Sequence, residues 1–146
     1  MDIIDSDLKY ICGLTSLTVV NLKQTKITDK GLKELSSLKS LTHLYLGETN
    51  VTDKGLDQLL SMQYLTSLSL RHTKVTGECL KELVSFNKME TLFAGGHHVT
   101  DENLMKLSKM SSIQEIYLSE TQVTNQGVKD FKVALPNCHV EMMKSK

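Results

Sequence analysis

Residues 38–61 read LKSLTHLYLGETNVTDKGLDQLLS, and the same pattern recurs at a fixed spacing on both sides of this stretch. Residues 14–37 precede it, and residues 62–85, 86–109 and 110–133 follow it in the same 24-residue register. A fixed period of this length, repeated without linkers, predicts a solenoid in which each unit stacks on the next.

The leucines of one unit divide it into a strand and a helix. Leu44 and Leu46 are separated by a single residue, so both point to one face of a short strand. Leu56 and Leu59 follow at helical spacing, after a Thr-Asp dipeptide. Threonine can cap the free N–H groups of a helix start, and aspartate interacts favourably with the helix dipole. One unit cannot bury its apolar face alone, so neighbouring units must stack.

The segment from Leu41 to Val51 reads L-x-x-L-x-L-x-x-T-x-V. It resembles the leucine-rich repeat pattern, with threonine where that pattern has asparagine or cysteine. The recurring I/V-T-D-x-G-L signature, as at residues 27–32, is similar to the 24-residue class of ribonuclease-inhibitor-like and F-box-associated repeats. The resemblance covers nearly the whole chain. It implies an α/β horseshoe segment with a parallel sheet on the concave side and helices on the convex side, in a family that mostly binds other proteins.

The repeat register predicts a single domain. Residues 1–13 form a half-repeat with the helix of a unit and without its strand, and residues 134–146 form a C-terminal strand and tail around Val140 and Met142. Two interpretations of the half-repeat remain open: a cap on the first full repeat, or the cut end of a longer array. In both, the strand around residues 20–22 begins the sheet with an open edge, which invites pairing with another chain.

Composition and charge narrow the classes of function. The chain has 17 basic and 17 acidic residues, whereas nucleic-acid binding requires a basic surplus. No apolar run approaches the roughly 18 residues of a membrane span, and the N-terminus lacks the pattern of a signal peptide. Three cysteines without short spacing indicate reduced thiols. These features predict a cytoplasmic protein that binds neither nucleic acid nor membrane, unless the chain is an excerpt or a secreted effector.

Signatures of catalysis and metal binding are missing from the sequence. It contains no G-x-S-x-G, C-x-x-C, Walker or H-E-x-x-H motif. Cys138 and His139 are adjacent on a predicted strand, so their side chains point to opposite faces. His97 is predicted to lie inward, in the position of a recurring threonine, and His98 to lie in the turn; structural zinc requires four converging ligands. We therefore expect a protein that is not an enzyme and holds no metal or cofactor.

Two further columns, meaning equivalent positions in successive repeats, carry the same residue type in most copies and have structural interpretations. The threonines after each strand, such as Thr49, are predicted to bond the turn backbone through their hydroxyls. Glycine recurs inside the helices, as at Gly31 and Gly55, and suggests a close approach of helix to sheet. Cys79 and Asn103 occupy the same position as looser fits.

Residues that alternate with the core leucines are expected to point into the concavity. Exposed aromatic residues beside arginine are typical anchors of protein interfaces, although aromatics also suit strands for their own sake. Phe93 and Tyr117 lie on adjacent strands and are predicted to touch. A notch over Ser69, between Tyr45 and Phe93 and rimmed by Arg71, is predicted to admit an apolar or acidic partner side chain. The predicted partner-binding residues are His43, Tyr45, Ser69, Arg71, Phe93, Glu115 and Tyr117.

The leading functional hypothesis is a rigid recognition scaffold for another protein. A self-associating structural module, joined through the first or last strand, is the alternative from a different class. The resemblance to F-box-associated repeats suggests a substrate receptor for ubiquitin ligation, although no F-box segment is present. A bacterial effector that acts on host proteins fits equally.

Overall fold

Six short strands form one parallel sheet in the computed structural model, which describes residues 2–143. Neighbouring strands pair in the register of the repeat, so that Leu44 lies beside Leu68 and Leu92 beside Ile116. The sheet therefore confirms the predicted solenoid with one strand for each repeat. Of the tail predicted at residues 143–146, Met143 belongs to the last strand, and the rest lies outside the described residues. The strands are Val19–Asn21 (β1), His43–Tyr45 (β2), Ser67–Ser69 (β3), Thr91–Gly95 (β4), Glu115–Ser119 (β5) and His139–Met143 (β6).

The outer side of the sheet is covered by short helices. In the third repeat a 3-10 helix replaces the α-helix of its neighbours. Each α-helix follows a threonine whose hydroxyl accepts a bond from a backbone N–H of the first turn, as Thr52 does from Lys54 at 3.3 Å. The predicted capping role of threonine is therefore confirmed. The α-helices are Asp29–Leu35 (α1), Asp53–Leu59 (α2), Asp101–Lys106 (α3) and Asn125–Ala134 (α4), and the 3-10 helices are Asp5–Tyr10, Gly77–Ser85 and Leu107–Lys109.

The core is one continuous apolar layer between sheet and helices. Leu44, Leu46 and Leu59 are fully buried, and Leu56 is 1% exposed. The predicted inward face of the strands and helices is thus the observed one. Since each leucine row continues into the next repeat, hydrophobic burial holds the stack together along its whole length.

The threonine column after the strands also behaves as predicted. Thr49 Oγ1 donates to Leu46 O at 2.7 Å, and Thr73 Oγ1 donates to Leu70 O at 2.8 Å. The inward position predicted for His97 is wrong, because this side chain is exposed. An imidazole is larger than the threonine side chain that fills the same position in the neighbouring turns.

At four junctions a repeat is joined to the next by an aspartate at the start of its helix. Asp29 Oδ1 accepts from the Thr52 N–H and Asp29 Oδ2 accepts from the Thr52 hydroxyl, both at 2.7 Å. Gly55 lies against this carboxylate, and a Cβ there would overlap it. Gly31, Gly55 and Gly127 therefore make room for the aspartate of the preceding repeat, and the predicted approach of helix to sheet is not the reason for these glycines. The same pair of bonds joins Asp5 to Thr28, Asp53 to Thr76 and Asp101 to Thr124.

The two ends of the sheet differ. β1 is an edge strand, as predicted, and an apolar hollow of about 550 Å³ lies between it and the first 3-10 helix, where Leu8, Ile11 and Val20 form part of its lining. At the other end β6 pairs with β5, so the predicted final strand is confirmed. Among residues 2–143, no helix has the length and apolar character needed to cross a membrane.

Candidate functional site

Three aromatic rings stand on the concave face of the sheet, opposite the helices, each between two buried residues of its strand or strand end. Tyr45, Phe93 and Tyr117 are all half-buried, while the residues directly before and after each of them belong to the core. The rings of Phe93 and Tyr117 stack, with centroids 4.8 Å apart and planes 12° apart. The prediction that these two side chains touch is confirmed.

Polar neighbours hold the Tyr117 ring in place. Its hydroxyl donates to Glu115 Oε2 at 3.3 Å, and the His139 ring meets it edge-on with centroids 6.2 Å apart. Partial burial raises the pKa of the Tyr117 phenol, and the adjacent Glu115 carboxylate raises it further. Tyr117 is therefore a neutral hydrogen-bond donor throughout the physiological range.

His43 lies beside the aromatic row at its other end. Its Nδ1 is 2.9 Å from the Thr42 hydroxyl, and its ring centroid is 6.4 Å from that of Tyr45.

All seven of the partner-binding residues predicted from the sequence lie on the concave face or at its rim, in or next to the strands β2 to β5.

A cavity of about 240 Å³ occupies the place where the notch over Ser69 is expected. Tyr45 and Phe93 form its walls, and Gly47 and Ser69 lie at its base. Its depth follows from residue size, because serine and glycine stand in positions where the neighbouring strands carry larger side chains. The cavity is lined by Lys23, Tyr45, Gly47, Glu48, Ser69, Arg71, His72 and Phe93.

Arg71 spans two strands at the rim of this cavity. It follows β3, yet its Nε donates to Ser119 Oγ on β5 at 3.0 Å. Gly95 lies on the strand between them, and a Cβ at Gly95 would come within 2.7 Å of the Ser119 hydroxyl. Glycine at position 95 thus keeps open the space in which the arginine and serine meet. Within the described range 2–143, Arg71 forms no salt bridge with a carboxylate.

Three rim residues are missing from the sequence-based set: Lys23, Glu48 and His72. Lys23 Nζ is 3.4 Å from Glu48 Oε1, and His72 Nδ1 is 3.5 Å from Glu120 Oε2. A hydrogen bond from Gln24 and the nearby Lys23 hold the pKa of the Glu48 carboxyl below its usual value. The Lys23–Glu48 pair therefore neutralises part of the charged rim, and Arg71 has no carboxylate partner among residues 2–143.

A signal for two of these rim residues exists in the repeat register. Glu48 and His72 occupy the same place in successive turns and take left-handed φ values of 59° and 54°. Left-handed backbone favours glycine or asparagine, so glutamate and histidine do not mark the turn in the sequence. In the repeat alignment, however, Glu48 and His72 share their position with Gly96, which has a φ of 107°. This glycine would have revealed the turn.

The thiols have the properties of buried structural residues. Burial raises the pKa of the Cys79 thiol, and the Asp53 carboxylate adds to the effect; burial also raises the pKa of Cys138. Both thiols are protonated near neutral pH and are poor nucleophiles. Among residues 2–143, no group of three or more histidine, cysteine, aspartate or glutamate side chains is placed to hold a metal ion.

Comparison with known families identifies the repeat. The leucine-rich repeat family model matches residues 13–36, 37–60 and 61–84, three consecutive 24-residue steps. The chain belongs to the leucine-rich repeat family. Leucine-rich repeats are commonly protein-binding scaffolds and are typically non-enzymatic.

Solved leucine-rich repeat structures share the fold at low sequence identity. A leucine-rich repeat protein of Leptospira interrogans is 19% identical with a TM-score of 0.62, over 91% of this chain and 33% of that one. A plant peptide hormone receptor solved in complex with RGF2 is 17% identical with a TM-score of 0.59, over 92% and 22%. An internalin of Listeria monocytogenes is 14% identical with a TM-score of 0.56, over 94% and 51%.

These identities establish the leucine-rich repeat fold alone. The chain spans at most about half the length of these three proteins, since it covers 33%, 22% and 51% of them. No curated protein sequence matches the chain.

Proposed function

We propose that this protein is a non-catalytic recognition scaffold that binds a protein partner through the concave face of its sheet. The observation that carries the proposal is the row of half-exposed rings of Tyr45, Phe93 and Tyr117 on one rigid surface. Aromatic and arginine side chains supply most of the binding energy in typical protein interfaces. The similar plant receptor was solved in complex with RGF2, which supports a binding role for this type of fold.

Rigidity makes this face suitable for recognition. The strands that carry the rings are joined by ladder hydrogen bonds, and most of the helices behind them are joined by Asp–Thr bonds, such as Asp29 to Thr52. A surface that is already ordered loses little conformational entropy when a partner binds. The rings can therefore act as fixed anchors.

The charged residues of this face have distinct roles in the proposal. Arg71 offers its guanidinium to a carboxylate of the partner, because its own partner is the neutral Ser119 hydroxyl. Glu115 holds the hydroxyl of Tyr117 and so fixes the end of the aromatic row. His43 and Ser69 complete the contact surface around the rings.

Comparative affinity capture tests this function. The wild-type protein, the triple variant Tyr45→Ala/Phe93→Ala/Tyr117→Ala and the control Tyr10→Ala/Tyr64→Ala are immobilised and exposed to lysate of the source organism. Tyr10 and Tyr64 are 73% and 55% exposed and lie outside the concave face, so they match the loss of aromatic surface. The proposal predicts proteins that are retained by the wild type and the control and lost from the triple variant. Equal retention by all three folded proteins would contradict it.

Self-association is the second candidate, and the apolar hollow beside β1 is the observation that favours it. The repeat register argues against simple head-to-tail stacking of two copies. In that arrangement Asn125 of one copy would face Asp7 of the next, and no glycine would leave space between these two side chains. Glycine accompanies the acid or amide at most internal junctions, as at Gly55 beside Asp29. Light scattering during size-exclusion chromatography decides the matter: a monomer at high concentration excludes self-association, and a dimer that is disrupted by Val20→Lys supports it.

Within the scaffold class we propose a cytoplasmic location. A substrate receptor for ubiquitin ligation and a bacterial effector both fit a concave binding face of this kind. Capture from a eukaryotic lysate, followed by mass spectrometry, separates them, because a substrate receptor would retain ubiquitin-ligase components and an effector would retain other host proteins.

A further inference from the structure

The aromatic row on the concave face is interrupted at one strand. β2, β4 and β5 contribute Tyr45, Phe93 and Tyr117 at the same register position, whereas β3 contributes Ser69. The stacked pair of Phe93 and Tyr117 shows what neighbouring rings do on this surface, with centroids 4.8 Å apart. This spacing equals the separation of adjacent strands, about 4.8 Å.

The interruption has the width of one ring. Tyr45 and Phe93 lie two strands apart, so their backbones are separated by about 9.6 Å. A ring placed over Ser69 would be about 4.8 Å from the ring on each side, within the range of roughly 4.5–7 Å in which aromatic pairs attract. The 240 Å³ cavity at this position provides the space.

The rim of the cavity determines the charge that suits the occupant. Lys23 is paired with Glu48, whereas the Arg71 guanidinium donates to a neutral hydroxyl and has no carboxylate partner among the described residues. Arg71 is half-buried, so its charge is less screened than that of a fully exposed side chain. A carboxylate beside the bound ring would meet this cation.

We propose that the notch over Ser69 binds one aromatic side chain of the protein partner, flanked in the partner sequence by an acidic residue that pairs with Arg71. The bound ring continues the stack from Tyr45 to Phe93 and Tyr117. This inference rests on the proposed function, because it specifies the part of the partner that the concave face recognises.

Titration with short blocked peptides, followed by two-dimensional amide NMR, tests the inference. The probes are Asp-Phe-Asp, Asp-Ala-Asp and Lys-Phe-Lys. We expect Asp-Phe-Asp to shift the amide signals of Ser69 and Phe93. It should bind roughly tenfold more tightly than Asp-Ala-Asp, which lacks the ring, and roughly tenfold more tightly than Lys-Phe-Lys, which lacks the carboxylates that would meet Arg71. Equal binding of Asp-Phe-Asp and Asp-Ala-Asp would overturn the inference.

A substitution that supplies the ring from the protein itself provides a second test. Ser69→Phe fills the interruption and is expected to abolish the shifts caused by Asp-Phe-Asp. Asn21→Phe is the matched control, because position 21 extends the same row on β1, on the far side of Tyr45, and leaves the notch open. Circular dichroism verifies that both variants fold. Undiminished peptide binding by folded Ser69→Phe would overturn the inference.

The inference and the proposed function fail separately. If capture of partner proteins depends on the concave aromatics but Ser69→Phe leaves it unchanged, the notch is not the recognition site and the scaffold function stands. If no substitution on the concave face changes the capture of partner proteins, both the inference and the proposed function are overturned.

Discussion

Gly77 and Asn103 reverse the arrangement that joins the other repeats. At Asp29 and Gly55 the acceptor side chain comes from the earlier repeat and the glycine from the later one. At Gly77 and Asn103 the glycine comes first, and Asn103 Oδ1 accepts from the N–H and the hydroxyl of Thr100, both at 2.9 Å. At these two junctions one repeat supplies the acceptor for the threonine, and a glycine of the other repeat leaves space for it.

This exchange predicts strong coupling between Asp29 and Gly55. Asp29→Gly removes both acceptors of Thr52, and Gly55→Asn pushes an amide into the Asp29 carboxylate, so each should lower the free energy of unfolding by about 1–3 kcal/mol. The double variant recreates the arrangement of Gly77 and Asn103, and its loss should be smaller than the sum of the two by about 1–3 kcal/mol. Urea denaturation of the four proteins measures the coupling, and additive losses would refute this account of the junction.

The Asp–Thr bonds should contribute substantially to stability. Asp53 accepts from the Thr76 N–H at 2.7 Å and from the Thr76 hydroxyl at 2.6 Å. Asp53→Ala removes two hydrogen bonds to a charged acceptor and is expected to lower the free energy of unfolding by about 2–4 kcal/mol. Asp57→Ala, an exposed position of the same helix, is the control and should change it by less than about 0.5 kcal/mol. Similar urea midpoints for the two variants would contradict a role of Asp53 in joining repeats.

The glycine beneath Arg71 predicts a specific steric effect. A Cβ at Gly95 would lie 2.7 Å from Ser119 Oγ and 2.9 Å from Ser119 O. Gly95→Ala should therefore lower the free energy of unfolding by about 1–3 kcal/mol through overpacking. Gly13→Ala meets no atom within 4 Å and should be neutral or slightly stabilising. Thermal denaturation compares the two, and a neutral Gly95→Ala would show that the strands move apart freely.

The cysteines should differ in reactivity. Cys12 is partly exposed, whereas Cys79 and Cys138 are 6% and 4% exposed and have a raised pKa. At pH 8 a thiol reagent such as Ellman's should modify one thiol rapidly and the other two only as slowly as the protein opens. In denaturant all three should react at once. Rapid modification of three thiols in the folded protein would contradict the burial of Cys79 and Cys138.

The repeat period explains how much of the fold could be predicted. Once residues 24 positions apart are known to lie side by side, the parallel register, the leucine core and the contact of Phe93 with Tyr117 all follow. The notch over Ser69 follows as well, because a small residue between two aromatic strands must leave a depression.

The remaining interactions depend on side-chain reach. Aspartate at a helix start is a common local cap, and nothing in the Thr-Asp dipeptide indicates that the Asp29 carboxylate bonds Thr52 in the next repeat. Arg71 bonds Ser119, two strands away, because Gly95 leaves the way open. The prediction for His97 was wrong for a related reason. The register gives the position of this residue in the repeat, but the size of its side chain determines whether it points inward.

The most direct measurement of the central claim is site-specific photo-crosslinking to the captured partner. A photoreactive side chain replaces His43 on the concave face in one protein and the exposed Tyr64 in another. We expect irradiation to produce a covalent adduct with the partner from position 43 and none from position 64. An adduct from position 64 alone would contradict recognition by the concave face.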